Sequence, residues 1–265
     1  MIDTELKLVL AHKPPLFDVP PGWHIVTTDP DNKKDFYVED DYIWTKNGDA
    51  DALSEYCYLI PLAKKLKLMP EIQTIRLAQY RKIVCNSKFT QSEKITEPRY
   101  FITPEELKRY DIEEITKPIN NFLLSIFYEF PENCLHHYNE SHLIEDLLKF
   151  LLDAVKCEVI NNEQLVKILN SKALLVGGIG IGVYPKDVFI KILEQAEKAA
   201  LFYYKESWVK RTDNYQYRNI GFLLEILTTF LLCKELHSHD INIFSSCGCL
   251  VIVDKNKQYV RGTAQ

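Results

Sequence analysis

The polar end of one apolar segment is the first place in the sequence that suggests chemistry. The stretch "TIRLAQYRKIV", Thr74–Val84, has the apolar character of a buried strand, and near its carboxyl end it carries Gln79, Tyr80, Arg81 and Lys82. In an open α/β sheet, ligands bind beyond that end of the strands. Because Arg and Lys bind phosphate oxygens, the pair predicts an anionic ligand, with phosphate as the first candidate. The competing interpretation is an edge strand with solvated charges.

A second candidate is the acidic loop "NGDAD", in which one residue separates Asp49 from Asp51. Two carboxylates at this spacing supply the hard oxygen ligands that Mg²⁺ or Mn²⁺ prefers, and such a pair can hold the cation on a diphosphate. The match is short and common by chance. A solvated loop, or a loop that contacts the ligand without a metal, stays open as the alternative.

The glycines of "GGIGIG", residues 177–182, resemble a phosphate loop only in composition. The segment lacks the Lys and Ser/Thr of a P-loop, and its glycines do not follow the spacing of a dinucleotide-binding turn. A close-packed strand and turn is the favoured interpretation, ahead of a phosphate cradle. A third interpretation is a glycine backbone beside a sugar, with Gly178 in contact.

Two further clusters contain residues that bind metals or carry protons. The stretch "HSHDINIFSSCGC" holds four residues of zinc-ligand type, His237, His239, Cys247 and Cys249. Their H-x-H and C-x-C spacings are not those of common zinc fingers, so structural zinc is not favoured. In "CLHHYNESH", His142 is a candidate proton carrier near neutral pH. The alternative is a polar loop before a helix, with His142 in the first helical turn.

The elements that must position these residues follow a strand–helix–strand order. Apolar runs predict strands at Leu6–Lys13 and Trp23–Asp29, ahead of the strand at Thr74–Val84. A helix is expected from Ser54, which has the chemistry of an N-cap, with Glu55 in its first turn. This βαβ pattern predicts an α/β fold.

The later part of the chain is predicted to be rich in helices. Ser141–Cys157 has the periodicity of an amphipathic helix with Ser141 as its N-cap. Ala173–Phe189 predicts a strand and a turn, with Pro185 opening the next helix. Other helices are expected in "NNEQLVKILNSK" and in the apolar "GFLLEILTTFLLCKEL", and a C-terminal hairpin is expected to turn at Asp254–Gln258.

The segment "YQYRNIGFLLE" combines a cation and a carboxylate with an apolar helix. A continuous helix would place Arg218 and Glu225, seven residues apart, on one face. Because a buried cation needs a partner or a ligand, Arg218 either pairs with a carboxylate or points into a cleft, and the polar run before it favours the cleft. Glu225 is a candidate base or the buried partner of an arginine.

Composition limits the class of protein. The 265 residues are 46% hydrophobic and 26% charged, which is ordinary for a globular protein. A net charge of -5 argues against nucleic-acid binding by charge alone, although it allows a local basic pocket. We expect no signal peptide and no membrane-spanning segment. Seven cysteines without disulfide-like spacing predict a reducing cytoplasm.

Several of these segments, in this order, resemble one family: the bacterial capsular-polysaccharide and lipopolysaccharide glycosyltransferase-like family known as domain of unknown function 4422. Its first strand ends in Thr-His-Lys, and a Gly-Asp-Asn-Ile-Ser loop then leads into a Tyr-x-Glu-Leu-Thr helix. The corresponding residues here are Ala11, His12, Lys13, Gly48, Asp49, a displaced Ser54, Glu55 and Tyr56. The late motif Tyr-Gln-x-Arg-x-x-Gly-Phe-Leu-x-Glu is the most specific. It is matched by Tyr215, Gln216, Arg218, Gly221, Phe222, Leu223 and Glu225.

The middle motifs match less completely. A family strand ends in His-Tyr-Arg-Arg, and the chain matches it at Tyr80 and Arg81 while Gln79 replaces the His and Lys82 replaces the last Arg. A mid-chain His before an acidic-Leu helix resembles the segment that begins at His142. If the family His were a catalytic base, this chain would need another base or would be inactive.

The resemblance implies a single GT-A-like nucleotide-diphosphosugar transferase domain over residues 1–265, with a βαβ nucleotide-binding part (1–100) and a helix-rich acceptor part (101–265). The implied reaction is hexosyl transfer from a UDP-sugar, with UDP-galactose as one candidate, to a capsular, lipopolysaccharide or exopolysaccharide glycan. The acceptor would be free or lipid-linked, and the location cytoplasmic or at the inner face of the membrane.

The sugar-transfer hypothesis assigns substrate binding to His12, Lys13, Gly48, Ser54, Tyr56, Gln79, Tyr80, Arg81, Gly178 and Arg218. The candidate catalytic residues are Asp49, Asp51, His142 and Glu225. Mg²⁺ or Mn²⁺ is a candidate cofactor. The alternative is a catalytically inactive carbohydrate- or partner-binding module on the same fold, which the change at Gln79 favours.

Overall fold

The structure is a computed structural model that describes residues 4–29, 31, 35–89, 99–118 and 120–257. Within these residues, nine strands form one mixed sheet and two others form a separate pair. The strands are β1 Glu5–Leu10, β2 Trp23–Thr27, β3 Phe36–Tyr37, β4 Thr74–Gln79, β5 Lys82–Cys85, β6 Arg99–Ile102, β7 Leu123–Leu124, β8 Phe127–Glu129, β9 Ala173–Leu175, β10 Gly182–Pro185 and β11 Cys249–Val253. The α-helices are α1 Ile43–Lys46, α2 Tyr56–Leu66, α3 Pro104–Leu107, α4 Ile112–Ile115, α5 Cys134–Asn139, α6 Ile144–Lys156, α7 Asn162–Leu169, α8 Lys186–Glu206, α9 Asn214–Tyr217 and α10 Asn219–Ser238.

The first four strands form a parallel half-sheet in the order β3-β2-β1-β4. Along β1, Leu6 and Leu8 enter the large core that also contains α2, α8 and α10, whereas Val9 enters a second core on the opposite face. Burial on both faces explains the apolar run in this segment, since a parallel strand is covered by other elements on both sides. The predicted α/β class and the first two predicted strands are confirmed.

The predicted strand at 74–84 is in fact two strands, because the chain reverses at Tyr80 and Arg81. β4 ends before these residues and β5 begins after them, and the two strands pair antiparallel. The amide of Tyr80 donates to the carbonyl of Leu10 (3.0 Å), and the carbonyl of Tyr80 accepts from the amide of Leu16 (2.7 Å). The sequence did not predict this turn, because it contains none of the Gly, Asn or Asp that usually mark a two-residue hairpin.

The prediction that Ser54 caps a helix is wrong. Ser54 follows the 3₁₀ helix Ala50–Leu53, and Glu55 takes the N-cap position of α2. The Ser54 hydroxyl donates to the Glu55 carboxylate (2.6 Å), so it does not accept from a helix amide as a capping side chain would.

Ser141 is also not an N-cap, because α6 begins three residues later with Leu143 at the cap position. The amides of Ser141 and His142 both donate to the carbonyl of Tyr138, which closes the end of α5. His142 therefore lies in the turn between α5 and α6 and not in the first turn of a long helix. In contrast, α7 is confirmed, and Asn161 caps it in a reciprocal pair with Gln164.

Two long helices, α8 and α10, complete the large core. α8 begins directly after Pro185, as predicted, and twelve residues of α10 are buried. Arg218 lies between α9 and α10 and precedes the first residue of α10. The condition of one continuous helix through Arg218 and Glu225 is therefore not met, because Arg218, with φ of -82° and ψ of 18°, is the cap between α9 and α10.

The later part of the chain contributes to the same sheet as the first part. β10 pairs antiparallel with β4, and β11 pairs antiparallel with β5 and parallel with β6. β11 is the first strand of the predicted C-terminal hairpin, and the predicted second strand after Gln258 lies outside the described residues. The parts 1–100 and 101–265 thus share one sheet.

Candidate functional site

The candidate site lies beyond the carboxyl ends of β1 and β4, a place that we call the crevice. The two strands are parallel neighbours, and Leu10 is paired with Gln79 at this end. From β1 the chain proceeds outward to β2 and β3, and it then returns to β4 on the other side of β1. Such a reversal of strand order is where open α/β sheets bind ligands. The residues that leave these strands are His12, Lys13 and the turn at Tyr80.

Positive charges converge on His12 in this crevice. The His12 ring packs edge-on against Tyr80, with 4.6 Å between ring centroids, and the Arg81 guanidinium lies 5.3 Å from the centre of the Tyr80 ring. Burial lowers the pKa of His12, and Arg218, Lys13 and Arg81 lower it further while Glu55 opposes them. Arg81 is half-buried, and its charge acts on His12.

Hydrogen bonds connect three segments at the crevice, namely the α9–α10 junction, residues 54–55 and the end of β4. Nη2 of Arg218 donates to Oγ of Ser54 at 2.5 Å. Oγ of Ser54 donates to Oε2 of Glu55 at 2.6 Å, and Nε2 of Gln79 donates to Oε1 of Glu55 at 3.2 Å. We refer to Arg218, Ser54, Glu55 and Gln79 as the crevice chain. Sequence reasoning did not assign a function to Glu55, although its place next to Ser54 at the start of a helix was visible.

The glycine segment 177–182 is a close-packed turn between β9 and β10, as favoured from the sequence. The amide of Gly177 donates to Oε1 of Glu225 at 2.6 Å. A Cβ on Gly178 would lie 2.5 Å from the hydroxyl of Tyr56 and 2.8 Å from that of Thr228. Side chains therefore fill the space above this turn, which does not match a phosphate cradle or a sugar contact at Gly178.

The phenol of Tyr56 is a structural group and not a substrate-binding one. The residue is 1% exposed, and its hydroxyl shares a hydrogen bond of 2.7 Å with Thr228 on α10. Burial raises the pKa of Tyr56 well above its ordinary value. The prediction that Tyr56 contacts the substrate is wrong, because the residue joins α2 to α10 inside the core.

Asp49 is buried, and both of its carboxylate oxygens are engaged. Oδ1 accepts from Lys210 (2.6 Å) and Tyr217 (2.9 Å), and Oδ2 accepts from Tyr204 (2.7 Å). Burial alone would raise the pKa of Asp49, but these hydrogen bonds lower it below its ordinary value. Asp51 is exposed on the 3₁₀ helix. The arrangement joins the Gly48–Asp49 loop to α8 and α9, and it leaves the D-x-D pair unsuited to a shared cation.

His142 is part of an aromatic cluster that borders the crevice. Its ring stacks on Tyr215, with 4.9 Å between centroids, and packs against Phe222 at 4.4 Å. Phe222 in turn lies 5.9 Å from the guanidinium of Arg218. The structure thus brings together the mid-chain His and the late motif.

The described residues contain no group of three or more His, Cys, Asp or Glu that could hold a metal ion. The zinc-ligand residues of segment 237–249 have other partners. Nε2 of His239 lies 3.3 Å from the Glu235 carboxylate, and Cys249 is buried opposite Cys85 in the sheet. None of the described helices is both long enough and apolar enough to cross a membrane.

Comparison with solved structures identifies the fold. The chain is similar to the apo structure of WbbM, a bifunctional glycosyltransferase, with a TM-score of 0.68 and 16% sequence identity, over 94% of this chain and 45% of that chain. The fold is α/β and GT-A-like, as predicted. The chain spans less than half the length of that protein. No family model matches the sequence, and no curated protein matches it.

Proposed function

We propose that the protein is a glycosyltransferase that uses a nucleotide-diphosphate sugar. The observation that carries this proposal is the convergence of Arg218, Lys13 and Arg81 on His12 at the switch point of a GT-A-like sheet. A diphosphate is the ligand whose charge these cations match. The similar structure, WbbM, is a glycosyltransferase, which supports sugar transfer as the use of that diphosphate.

In the proposed reaction, the cations stabilise the charge that develops on the departing nucleoside diphosphate. Such electrostatic stabilisation is usually the largest contribution to a transfer of this kind. Arg81 lies in the β4–β5 turn, and Arg218 immediately precedes α10. Lys13 extends from the end of β1. We assign the diphosphate to these three side chains and the nucleoside to the neighbourhood of His12 and Gly48.

The donor that we propose is a UDP-sugar, with UDP-galactose as the first to test, and the transferred group is a hexosyl unit. The acceptor is a growing capsular, lipopolysaccharide or exopolysaccharide glycan, free or lipid-linked, and the protein acts in the cytoplasm or at the inner face of the membrane. The resemblance to the capsular glycosyltransferase-like family supports these assignments.

The donor set does not fit a metal at the D-x-D pair, because both oxygens of Asp49 accept hydrogen bonds from the fold. We therefore assign charge neutralisation to the arginines and lysine. Among the candidate bases, Asp49 is the least suited for the same reason. Glu225, which accepts a hydrogen bond from the amide of Gly177, stays a candidate base, as do Asp51 and His142.

An inactive binding module is the second candidate function, and the engagement of Asp49 favours it. Titration calorimetry with UDP, UDP-galactose, UDP-glucose and UDP-N-acetylglucosamine tests the first proposal, since a transferase must bind a nucleotide. An assay of UDP release with a panel of glycan acceptors then separates the two functions. Binding without turnover on any acceptor indicates the module, and a failure to bind every nucleotide overturns the proposed donor site.

A further inference from the structure

Ser54 has a backbone conformation that non-glycine residues rarely adopt. Its φ of 53° and ψ of -134° lie in a region that is sparsely populated for L side chains. A glycine would adopt it without strain. The serine therefore destabilises the folded chain at this position, and strain of this kind concentrates at functional sites.

The Ser54 side chain is the middle member of the crevice chain. It accepts from Arg218 and donates to Glu55, and Gln79 holds the other oxygen of Glu55. Two of the three bonds join segments that are distant in the chain, and the third joins the neighbours Ser54 and Glu55, so the guanidinium is linked through Ser54 to the end of β4. Arg218 itself is exposed, and no other described residue hydrogen-bonds to its side chain.

Packing behind Ser54 restricts Arg218 as well. A Cβ on Gly221 would lie 2.6 Å from Cβ of Ser54 and 2.9 Å from the carbonyl oxygen of Leu53. The first turn of α10 therefore rests directly on Ser54, and glycine is required at 221 for this approach. Since Arg218 immediately precedes α10, its reach into the crevice is determined by the same contact.

We infer that Ser54, supported by Glu55 and Gln79, is a positioning residue that aims the Arg218 guanidinium at the donor diphosphate. The inference rests on the proposed function. A purely structural hydrogen bond does not account for a serine in a strained conformation. The orientation of a ligand-binding arginine by that serine does account for it. The strain, the bond to Arg218 and the close approach of α10 are independent observations, and they agree.

The same arrangement explains the change at position 79, where the resembling family has His. Nε2 of Gln79 donates to Glu55, and the Nε2 of a histidine can donate in the same way. We assign position 79 the role of a hydrogen-bond donor to Glu55 and not that of a base. Gln79 thus preserves the contact on which the positioning of Arg218 depends.

The test is Ser54→Gly, which removes the hydroxyl and relieves the strain. We expect a melting temperature at or above that of the wild type together with UDP binding weakened by about tenfold, the loss expected for one charged hydrogen bond, by calorimetry. Affinity for uridine, which has no diphosphate, should not change. Arg218→Met should weaken UDP binding at least as much, and the double variant should bind no more weakly than Arg218→Met alone, because both act through one contact.

Glu158→Gly is the matched control. Glu158 also has a positive φ, of 59°, and it lies at the end of α6 away from the crevice chain. This variant should likewise raise or maintain the melting temperature, but UDP affinity should stay at the wild-type value. Gln79→His should bind UDP within about twofold of the wild type at pH 8, and Gln79→Leu should bind several-fold more weakly. Unchanged UDP affinity in Ser54→Gly, or losses that multiply in the double variant, would overturn the inference.

A readout without nucleotide separates this inference from the proposed function. Arg218 lowers the pKa of His12, so Arg218→Met should raise that pKa in an NMR titration. Ser54→Gly should raise it in the same direction if Ser54 holds Arg218 near His12, and Glu158→Gly should not. If the wild type binds no UDP, the proposed function fails and the His12 titration still decides the positioning role: a pKa that Ser54→Gly leaves unmoved refutes it.

Discussion

The two ends of the β1–β4 strand pair both carry arginine, but they treat the charge in opposite ways. Toward the amino end, Arg76 is 3% exposed, and it donates to both carboxylate oxygens of Glu5 at 2.7 Å and lies 3.4 Å from Glu113. At the carboxyl end, Arg218 is exposed, donates to a neutral hydroxyl and forms no ion pair with any described residue. A cation paired directly with carboxylates stabilises the fold, whereas Arg218, which has no direct carboxylate partner among the described residues, is available to an anion.

The largest expected effect is a loss of stability when Arg76, which is paired with carboxylates, is replaced. Arg76→Met leaves Glu5 and Glu113 without their buried partner, so we expect the free energy of unfolding to fall by about 3 kcal/mol in urea denaturation. The exposed pair Lys88–Glu114 is the control, and Lys88→Met should change stability by less than about 0.5 kcal/mol. The UDP affinity of the folded variant should equal that of the wild type. Weaker UDP binding by folded Arg76→Met would contradict the division between the two ends.

At the carboxyl end, Arg81→Ala should affect ligand binding and not stability. We expect UDP-sugar binding to weaken by about 1.5–3 kcal/mol, the scale of a charged hydrogen bond, with little change in the free energy of unfolding. Arg81→Lys should recover part of the loss, because a lysine cannot make the forked contact of a guanidinium. Calorimetry on the three proteins measures both differences. Equal affinities for wild type and Arg81→Ala would remove Arg81 from the site.

Asp49 is a further test of the comparison, because its carboxylate near the crevice is expected to stabilise the fold and not to bind the ligand. Asp49→Asn should lower the free energy of unfolding by about 1–2 kcal/mol through weaker bonds to Lys210, Tyr204 and Tyr217. Asp51→Asn, at an exposed position, should change it by less than about 0.5 kcal/mol. Neither should alter UDP affinity measured with Mg²⁺ or with EDTA. A loss of UDP affinity in both variants, dependent on Mg²⁺, would restore the D-x-D metal site.

The sequence predicted secondary-structure elements better than it predicted contacts. The apolar runs of β1 and α10 follow from local periodicity and were predicted correctly, whereas the turn at Tyr80 and Arg81 was not. Asp49 was predicted to be a catalytic residue. Its structural partner Lys210 lies 161 residues away in the sequence, and no local pattern reveals that contact. Tyr56 was misassigned for the same reason, since its hydroxyl partner is 172 residues distant.

The smallest expected effect is a pH dependence at His12. Burial lowers the pKa of His12 from 6.5, Arg218, Lys13 and Arg81 lower it further, and Glu55 opposes them. The folded chain therefore disfavours the protonated ring, and the free energy of unfolding should decline as pH falls below about 6.5. A bound diphosphate supplies negative charge and should raise this pKa, so binding should take up a proton.

The consequence is that UDP affinity should rise by about two- to fivefold between pH 7.5 and 6 in the wild type relative to His12→Asn, which cannot take up the proton. The ratio of the two proteins is the informative quantity, because protonation of the phosphate itself near pH 6 weakens binding to both. Calorimetry in two buffers of different ionisation enthalpy measures the proton uptake directly. Identical pH slopes and no difference in proton uptake between the two proteins would place His12 outside the reach of the diphosphate. The cations at the carboxyl end would then bind the diphosphate without a contribution from His12.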